Sequence, residues 1–348
     1  MRAAGASIAP SCTPARTPTF RSRRPARTAR AGGPLRETII STPPLLSRLL
    51  QQTSRTFALT IPFLDEPTRG EVTVAYLLFR VADTIEDATG LTRAEKLDQL
   101  RRFERLLAHP SVQDAGALAA LWRAAPAIQH PGYAELMQEL PAIVRAGNDL
   151  DPVAWRLIAA YTARTTHHMA AFVGRVKSAG LELRDLDDLR AYCYAVAGIV
   201  GEMLTELFLL AKPSLAGAAT ELRRDAPAFG EALQLVNILK DSLDDAGEGR
   251  RFLPTGVSRA SVEALARRDL ETAGRYCTRL ESSGGGAGIV GFTALPVLLA
   301  HATLEQVATR GPGAKVSRTE VTRIVAELGE ALRVGRVGAL LASPSPAV

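Results

Sequence analysis

Residues 71–87, EVTVAYLLFRVADTIED, put two aspartates inside a segment too apolar to face water. Val72, Val74, Ala75, Leu77, Leu78, Phe79, Val81, Ala82 and Ile85 fill most faces of the helix that this spacing predicts, so the helix belongs in a core. At about 100° per residue, Tyr76, Arg80, Asp83 and Asp87 project from one strip about 60° wide. Acids stacked at i and i+4 repel each other when exposed, and cost far more when buried without a partner. Mg²⁺ is a fitting partner, because it takes oxygen ligands and is typically held by one or two carboxylates plus substrate phosphates. A single DxxxD also arises on solvated helix edges, so this motif alone does not decide between the two.

A second copy does more. Residues 229–245, FGEALQLVNILKDSLDD, again carry apolar residues on most of a helix, with Gln234, Asn237, Asp241, Asp244 and Asp245 on one strip about 100° wide. Asp241 and Asp245 repeat the i, i+4 pair. Two apolar helices with one acid strip each can both stay buried if the strips face each other across metal ions, with an anionic substrate completing the coordination.

The rest of the chain reads as helices with no convincing β alternation, so the predicted fold class is all-α. Ser54-Arg55-Thr56-Phe57 lies just ahead of the first acid helix, where the planar fork of Arg55 could clamp a phosphate or form a surface ion pair. Thr92 and Glu95 form a capping-box pattern, and Asp151-Pro152 opens another helix. Adjacent His167 and His168 point about 100° apart and are not in an ExxH spacing, which argues against a di-iron carboxylate bundle. Residues 192–210, YCYAVAGIVGEMLTELFLL, contain Glu202 and Glu206 and read as a central helix rather than a membrane span. Its small residues, Ala195, Ala197, Gly198 and Gly201, suit either close packing or room for a long apolar ligand. The glycines after Asp245 allow a loop that brings Arg250 over a bound phosphate. SSGGGAG at residues 282–288 has no preceding strand, so it is an interhelical linker and not a dinucleotide fingerprint.

Charge separates the chain into two parts. The net charge of +6 comes from residues 1–36, which hold eight arginines and no acid; the remainder carries 34 basic and 36 acidic side chains. A basic field for nucleic acid is therefore absent from the folded part, and no nucleic-acid partner is expected. Residues 1–36 are expected to be a disordered Arg-rich tail, since Pro10, Pro14, Pro18 and Pro25 interrupt any amphipathic targeting helix, and residues 37–348 a single all-α domain. Three cysteines, Cys12, Cys193 and Cys277, provide no disulfide framework and fit a reducing compartment.

In order, SRTF (54–57), RVADTIED (80–87), YCYAVAGIVG (192–201), QLVNILKDSLDD (234–245) and GRRFLP (249–254) resemble the squalene and phytoene synthase family, head-to-head prenyl transferases of the isoprenoid synthase fold. The resemblance covers residues 45–341. It implies a bundle of antiparallel helices around a deep cavity, with Asp83, Asp87, Asp241 and Asp245 binding Mg²⁺ against prenyl diphosphates. Gln234 and Asn237 would stand beside these acids, with Ser54, Phe57 and Tyr76 also against the substrate. Arg55, Arg80 and Arg250 match the diphosphate-binding arginines, Tyr192 the tyrosine near the reacting carbons, and Phe292 the aromatic wall. Lys240 departs from the usual Arg and loses the bidentate fork, while Asp244 stands where a glutamate is more usual. Lys315 and Arg318 resemble the basic K-x-x-R flap over NADPH, and on one helical turn they would share a face.

The expected reaction joins two farnesyl diphosphates through presqualene diphosphate and reduces the product to squalene. The alternative is phytoene or dehydrosqualene synthesis without reduction. A class I terpene cyclase or a non-catalytic helical scaffold would lack a reason for the full motif set. The expected enzyme is a monomer, cytoplasmic, and peripheral to the membrane where it releases product, with no spanning helix after Leu341.

Overall fold

The computed structural model describes residues 42–124, 128–176, 181–247 and 250–342, with all side chains in these ranges except those of residues 124, 244–246 and 250. The tail at 1–36 lies outside the described residues. Fifteen α-helices are present among them. They begin with α1 (Pro44–Thr53), α2 (Phe57–Thr60), α3 (Thr68–Asp87), α4 (Arg93–Ala108), α5 (Val112–Ala124), α6 (Pro131–Gln138), α7 (Leu140–Asn148) and α8 (Pro152–Arg175). After these come α9 (Leu186–Cys193), α10 (Ile199–Ala211), α11 (Ala219–Gly247), α12 (Arg259–Ser282), α13 (Gly286–Arg310), α14 (Arg318–Val334) and α15 (Val337–Ala342). The all-α class is as the sequence predicts. One small addition is a parallel bridge between β1 (Leu181–Glu182) and β2 (Arg250–Arg251), two residues each.

Helix α3 is buried on nearly every face: Val74, Leu77, Leu78, Val81, Ala82 and Ile85 are all within 1% of full burial. It packs on α8 along its length and on α1, α4 and α7 at its flanks. Truncating one such leucine to alanine costs about 2–5 kcal/mol. The Thr92–Glu95 capping box forms at the start of α4, and Asp151 caps α8 through the amides of Val153 (2.8 Å) and Ala154 (3.2 Å).

Helix α11 is the second axis, packed against α12, α10 and α13. Ala197 and Gly201 of the 192–201 segment serve this packing and also line a cavity. A Cβ on Gly201 would lie 2.1 Å from the Ala226 carbonyl oxygen, and one on Gly230 would lie 1.9 Å from that of Ala197. Both distances are impossible, so two backbones cross in direct contact and no larger residue fits.

The 192–210 stretch is not a plain α-helix. Tyr194–Gly198 form one π-helical turn between α9 and α10. Such turns insert an extra residue into a helix and are often found at functional sites. Arg164 of α8 pins it from outside, bonding Glu202 at 2.6 Å and the Tyr194 hydroxyl, which itself donates to Glu202 at 3.0 Å.

Two stretches, Leu186–Ala211 and Gly286–Arg310, are long and apolar enough to cross a membrane by length and composition. Their most apolar windows are 56% and 72% buried within the bundle, as core helices are.

Candidate active site

A cavity of about 260 Å³ lies between α3, α10, α11 and α13. Its walls are apolar, with Phe79, Leu204, Phe229 and Leu299 among them, and its polar lining comes chiefly from Arg80 and Asp83 on one side and Gln234 and Asn237 on the other. The two helices that carry the acid strips thus share one space, reached by Asp83 from the first strip and by Gln234 and Asn237 from the second. Tyr76, Phe57 and Phe292 also line it. Phe292 is 1% exposed and sits 6.4 Å from Phe57 and 6.0 Å from Phe208, centroid to centroid, forming the aromatic wall.

The first strip is tightly organised. The Tyr76 hydroxyl donates to the Thr53 carbonyl (2.8 Å) and accepts from Arg80 Nε (3.3 Å). The Arg80 guanidinium lies 5.6 Å from the Tyr76 ring centroid and 5.8 Å from that of Tyr133, and 3.3 Å from an Asp83 oxygen. Burial works against its charge, but Asp83 and the two tyrosines more than offset this and hold its proton more firmly than usual. A third of the Asp83 side chain is accessible, and it lines the cavity. Desolvation by those walls, lessened by Arg80 and reinforced by Asp87, pushes its carboxyl up to about 6. Asp87, one turn on, is exposed.

The second strip is more open. Gln234 is half-buried and Asn237 exposed, both on the cavity. Asp241, 39% exposed, is ion-paired to Lys240 at 2.8 Å. The side chains of Asp245 and Arg250 lie outside the described residues, as does that of Asp244.

Other residues are placed more differently. Ser54 caps the turn into α2, its hydroxyl accepting from the Phe57 amide at 2.9 Å. Arg55 is exposed in that turn. Tyr192 does not line the cavity. It is buried, stacked on Phe252 at 4.8 Å and edge-on to Phe172 at 5.2 Å, with its hydroxyl 3.5 Å from Glu86. Burial first, then Glu86, Asp87 and Asp83, keep that hydroxyl well above its usual pKa, so it stands neutral beside the acid strip. Lys315 lies in the loop ahead of α14 and Arg318 is its first residue, after the Ser317 cap, so the shared helical face expected for them does not form. Both are exposed. The loop is nonetheless tied to the site, because the Gly313 amide donates to the Lys240 carbonyl at 2.7 Å.

Three contributions were missed from the sequence: Tyr133 against Arg80, the Thr53 carbonyl that fixes Tyr76, and Phe252 against Tyr192. Phe252 sits in the FLP run after the glycines, which was its only signal. Tyr133 comes from a short helix with no motif of its own.

Donor chemistry suits a hard dication: Asp83 lines the cavity with the amide oxygens of Gln234 and Asn237 and with no thiol or imidazole, while Asp87 and Asp241 follow Asp83 and Asn237 by one helical turn each. The raised Asp83 carboxyl is a deficit of positive charge that such an ion would relieve. Among the described residues no three acidic, histidine or cysteine side chains converge on one point, so those residues supply pairs rather than a closed shell.

The squalene/phytoene synthase family model matches residues 50–324, nearly the whole described bundle. The chain belongs to the squalene/phytoene synthase family. Its curated relatives include the squalene synthase of Eremothecium gossypii, 32% identical over 238 residues, which covers 66% of this chain and 51% of that protein. The squalene synthase of Rattus norvegicus is 31% identical over 220 residues, covering 63% of this chain and 48% of that protein. The chain spans about half the length of the curated relatives it matches. Among solved structures, a ligand complex of TcSQS superposes with a TM-score of 0.67 at 24% identity, covering 87% of this chain and 92% of that one. A dehydrosqualene synthase complex gives 0.53 at 19% identity, covering 83% and 96%. Both share the fold: the all-α isoprenoid synthase bundle holds across them.

Proposed function

We propose that this family member condenses two farnesyl diphosphates head-to-head through presqualene diphosphate and reduces the product to squalene with NADPH. The single observation that supports the reductive reading is the Gly313–Lys240 bond, which ties the Lys315–Arg318 loop to the end of the second acid strip. Neither Lys315 nor Arg318 forms an ion pair among the described residues, and Arg318 stands in the first turn of α14, where the helix dipole also favours an anion. That pairing of charges fits the phosphates of a reduced nicotinamide dinucleotide.

Asp83, Asp87 and Asp241 would hold Mg²⁺, which when bound neutralises a departing diphosphate. Arg80 is positioned to take diphosphate oxygens with a fork already oriented by Tyr76 and Tyr133. Phe57, Phe292, Leu204 and Leu299 exclude water from the prenyl chains, so an allylic cation is not quenched to an alcohol. The aromatic faces of Phe57 and Phe292 can stabilise that cation. At about 260 Å³ the cavity lies just under the usual range of ligand sites, about 300–1,000 Å³, so seating two chains requires its side chains to part. The prenyl diphosphates are the partners in this reading, with peripheral membrane contact serving release of the apolar product.

Incubation with farnesyl diphosphate and Mg²⁺ should accumulate presqualene diphosphate, and added NADPH should convert it to squalene. Lys315→Ala with Arg318→Ala should block the second step by at least about tenfold while sparing the first. A C40 hydrocarbon from the C20 diphosphate, formed without nicotinamide, would replace this reading with phytoene synthesis.

A further inference from the structure

Helix α3 carries a second buried acid, at its opposite end. Glu71 is 3% exposed, and among the described residues no donor or cation bonds its carboxylate. It precedes Asp83 by twelve residues, which is about 18 Å along the helix, so it is remote from the prenyl cavity.

Glu71 faces a separate cavity of about 460 Å³. Leu64, Leu210, Val153 and Ile289 form its apolar surface, and Asp65, Glu66 and Asp151 add three more carboxylates. Two of these are already committed. Glu66 accepts from the Thr42 amide (3.1 Å) and hydroxyl (2.8 Å) and from the Gly70 amide (3.0 Å), while Asp151 caps α8. Lys212, the cation in the lining, stands by Gly286, its Nζ 3.9 Å from where a Cβ there would lie, and it forms no ion pair among the described residues. Burial, then Asp151 and Glu66, push the Glu71 carboxyl up to about 7. The space therefore holds a deep carboxylate that no cation pairs with among the described residues, and carboxylates at an open rim where Val153 and Leu210 are 44% and 43% exposed.

A metal ion does not fit. These four acids are all described, and no three of them converge on one point. An extended organic cation does fit, because it can meet separated carboxylates while laying methylenes on the apolar wall. We propose that this cavity binds a linear aliphatic diamine, one ammonium on Glu71, the other at the rim near Asp65 and Asp151, and its methylenes along Leu64, Leu210 and Ile289.

Calorimetric titration of the full chain with 1,4-diaminobutane at pH 7, in two buffers of different ionisation enthalpy, tests this. One site per chain should be filled, with release of about half a proton as Glu71 becomes fully ionised. Glu71→Gln should remove the proton release and weaken binding at least about tenfold, with a melting temperature no lower than that of the parent. If that variant fails to fold, proton release by the parent chain still decides. No binding heat up to about 10 mM diamine, binding without proton release, or equal binding of calcium chloride would each overturn the proposal. None of these outcomes depends on prenyl chemistry.

Discussion

The acid strips of α3 and α11 share one sequence pattern and have unlike surroundings. On α3, Asp83 is walled in and faced by Arg80, whose fork is held by Tyr76 and Tyr133. On α11, Asp241 is more open and pairs with the neighbouring Lys240, a flexible point charge that can swing away. Repetition of DxxxD therefore does not mean repetition of environment. One strip is preorganised; the other must exchange its internal partner before it can hold anything else.

The sharpest test of that difference compares the two aspartates. Asp83→Asn should lower turnover by roughly 10³-fold and Asp241→Asn by roughly 10²-fold, the preorganised position costing more. Both variants should melt no lower than the parent, since each relieves repulsion between i, i+4 acids. Steady-state rates at saturating Mg²⁺ check the order. Equal losses would erase the contrast, and near-parent rates in both would make the strips solvated edges.

A smaller effect probes the second strip alone. Lys240→Gln frees Asp241, so the Mg²⁺ concentration for half-maximal rate should fall a few-fold, about 1 kcal/mol for a partly exposed pair. A rise in the farnesyl diphosphate KM, with Mg²⁺ dependence unchanged, would instead assign Lys240 to the substrate phosphate.

The smallest effect separates generic burial from the site. Glu231, also on α11 but off the strip, is 8% exposed at its side chain and 3.8 Å from Arg190. Burial, partly offset by Arg190, raises its carboxyl from 4.5 to about 7. A raised folded-state pKa means stability that is present below about 4.5 and lost as pH rises through about 7. Glu231→Gln should thus be more stable at pH 8, by on the order of 2 kcal/mol, with the advantage gone near pH 4.5. Thermal melts across that range check it, and turnover should not change.

Much of the fold was legible because its signals are local. The dense apolar runs around Asp83 and Asp241 required buried helices, and α3 and α11 do share one cavity through Asp83, Gln234 and Asn237, while Asp87 and Asp241 stay partly or fully open to solvent. Capping at Thr92 and Asp151 follows from side chains reaching amides two or three residues away. What the sequence withheld depends on distant partners. The π turn at Tyr194–Gly198 is held by Arg164 from another helix, Tyr192 packs on Phe172 and Phe252 outside the cavity lining, and the loop that carries Lys315 is placed by the Gly313 amide bonding the Lys240 carbonyl. Gly201 turns out to serve both alternatives, packing on the Ala226 carbonyl while lining the cavity, and only the placement of α11 reveals it.

That backbone crossing has a consequence for how this scaffold can diversify. Where Gly201 meets Ala226 and Gly230 meets Ala197, main chain touches main chain, and no side-chain exchange can widen or shrink the gap. The opposite wall, built by Phe57, Phe292 and Leu299, is side chain throughout and can be resized one residue at a time. Laboratory selection for longer or shorter prenyl chains should therefore collect its substitutions along α2 and α13, leaving 201 and 230 as glycine in every survivor.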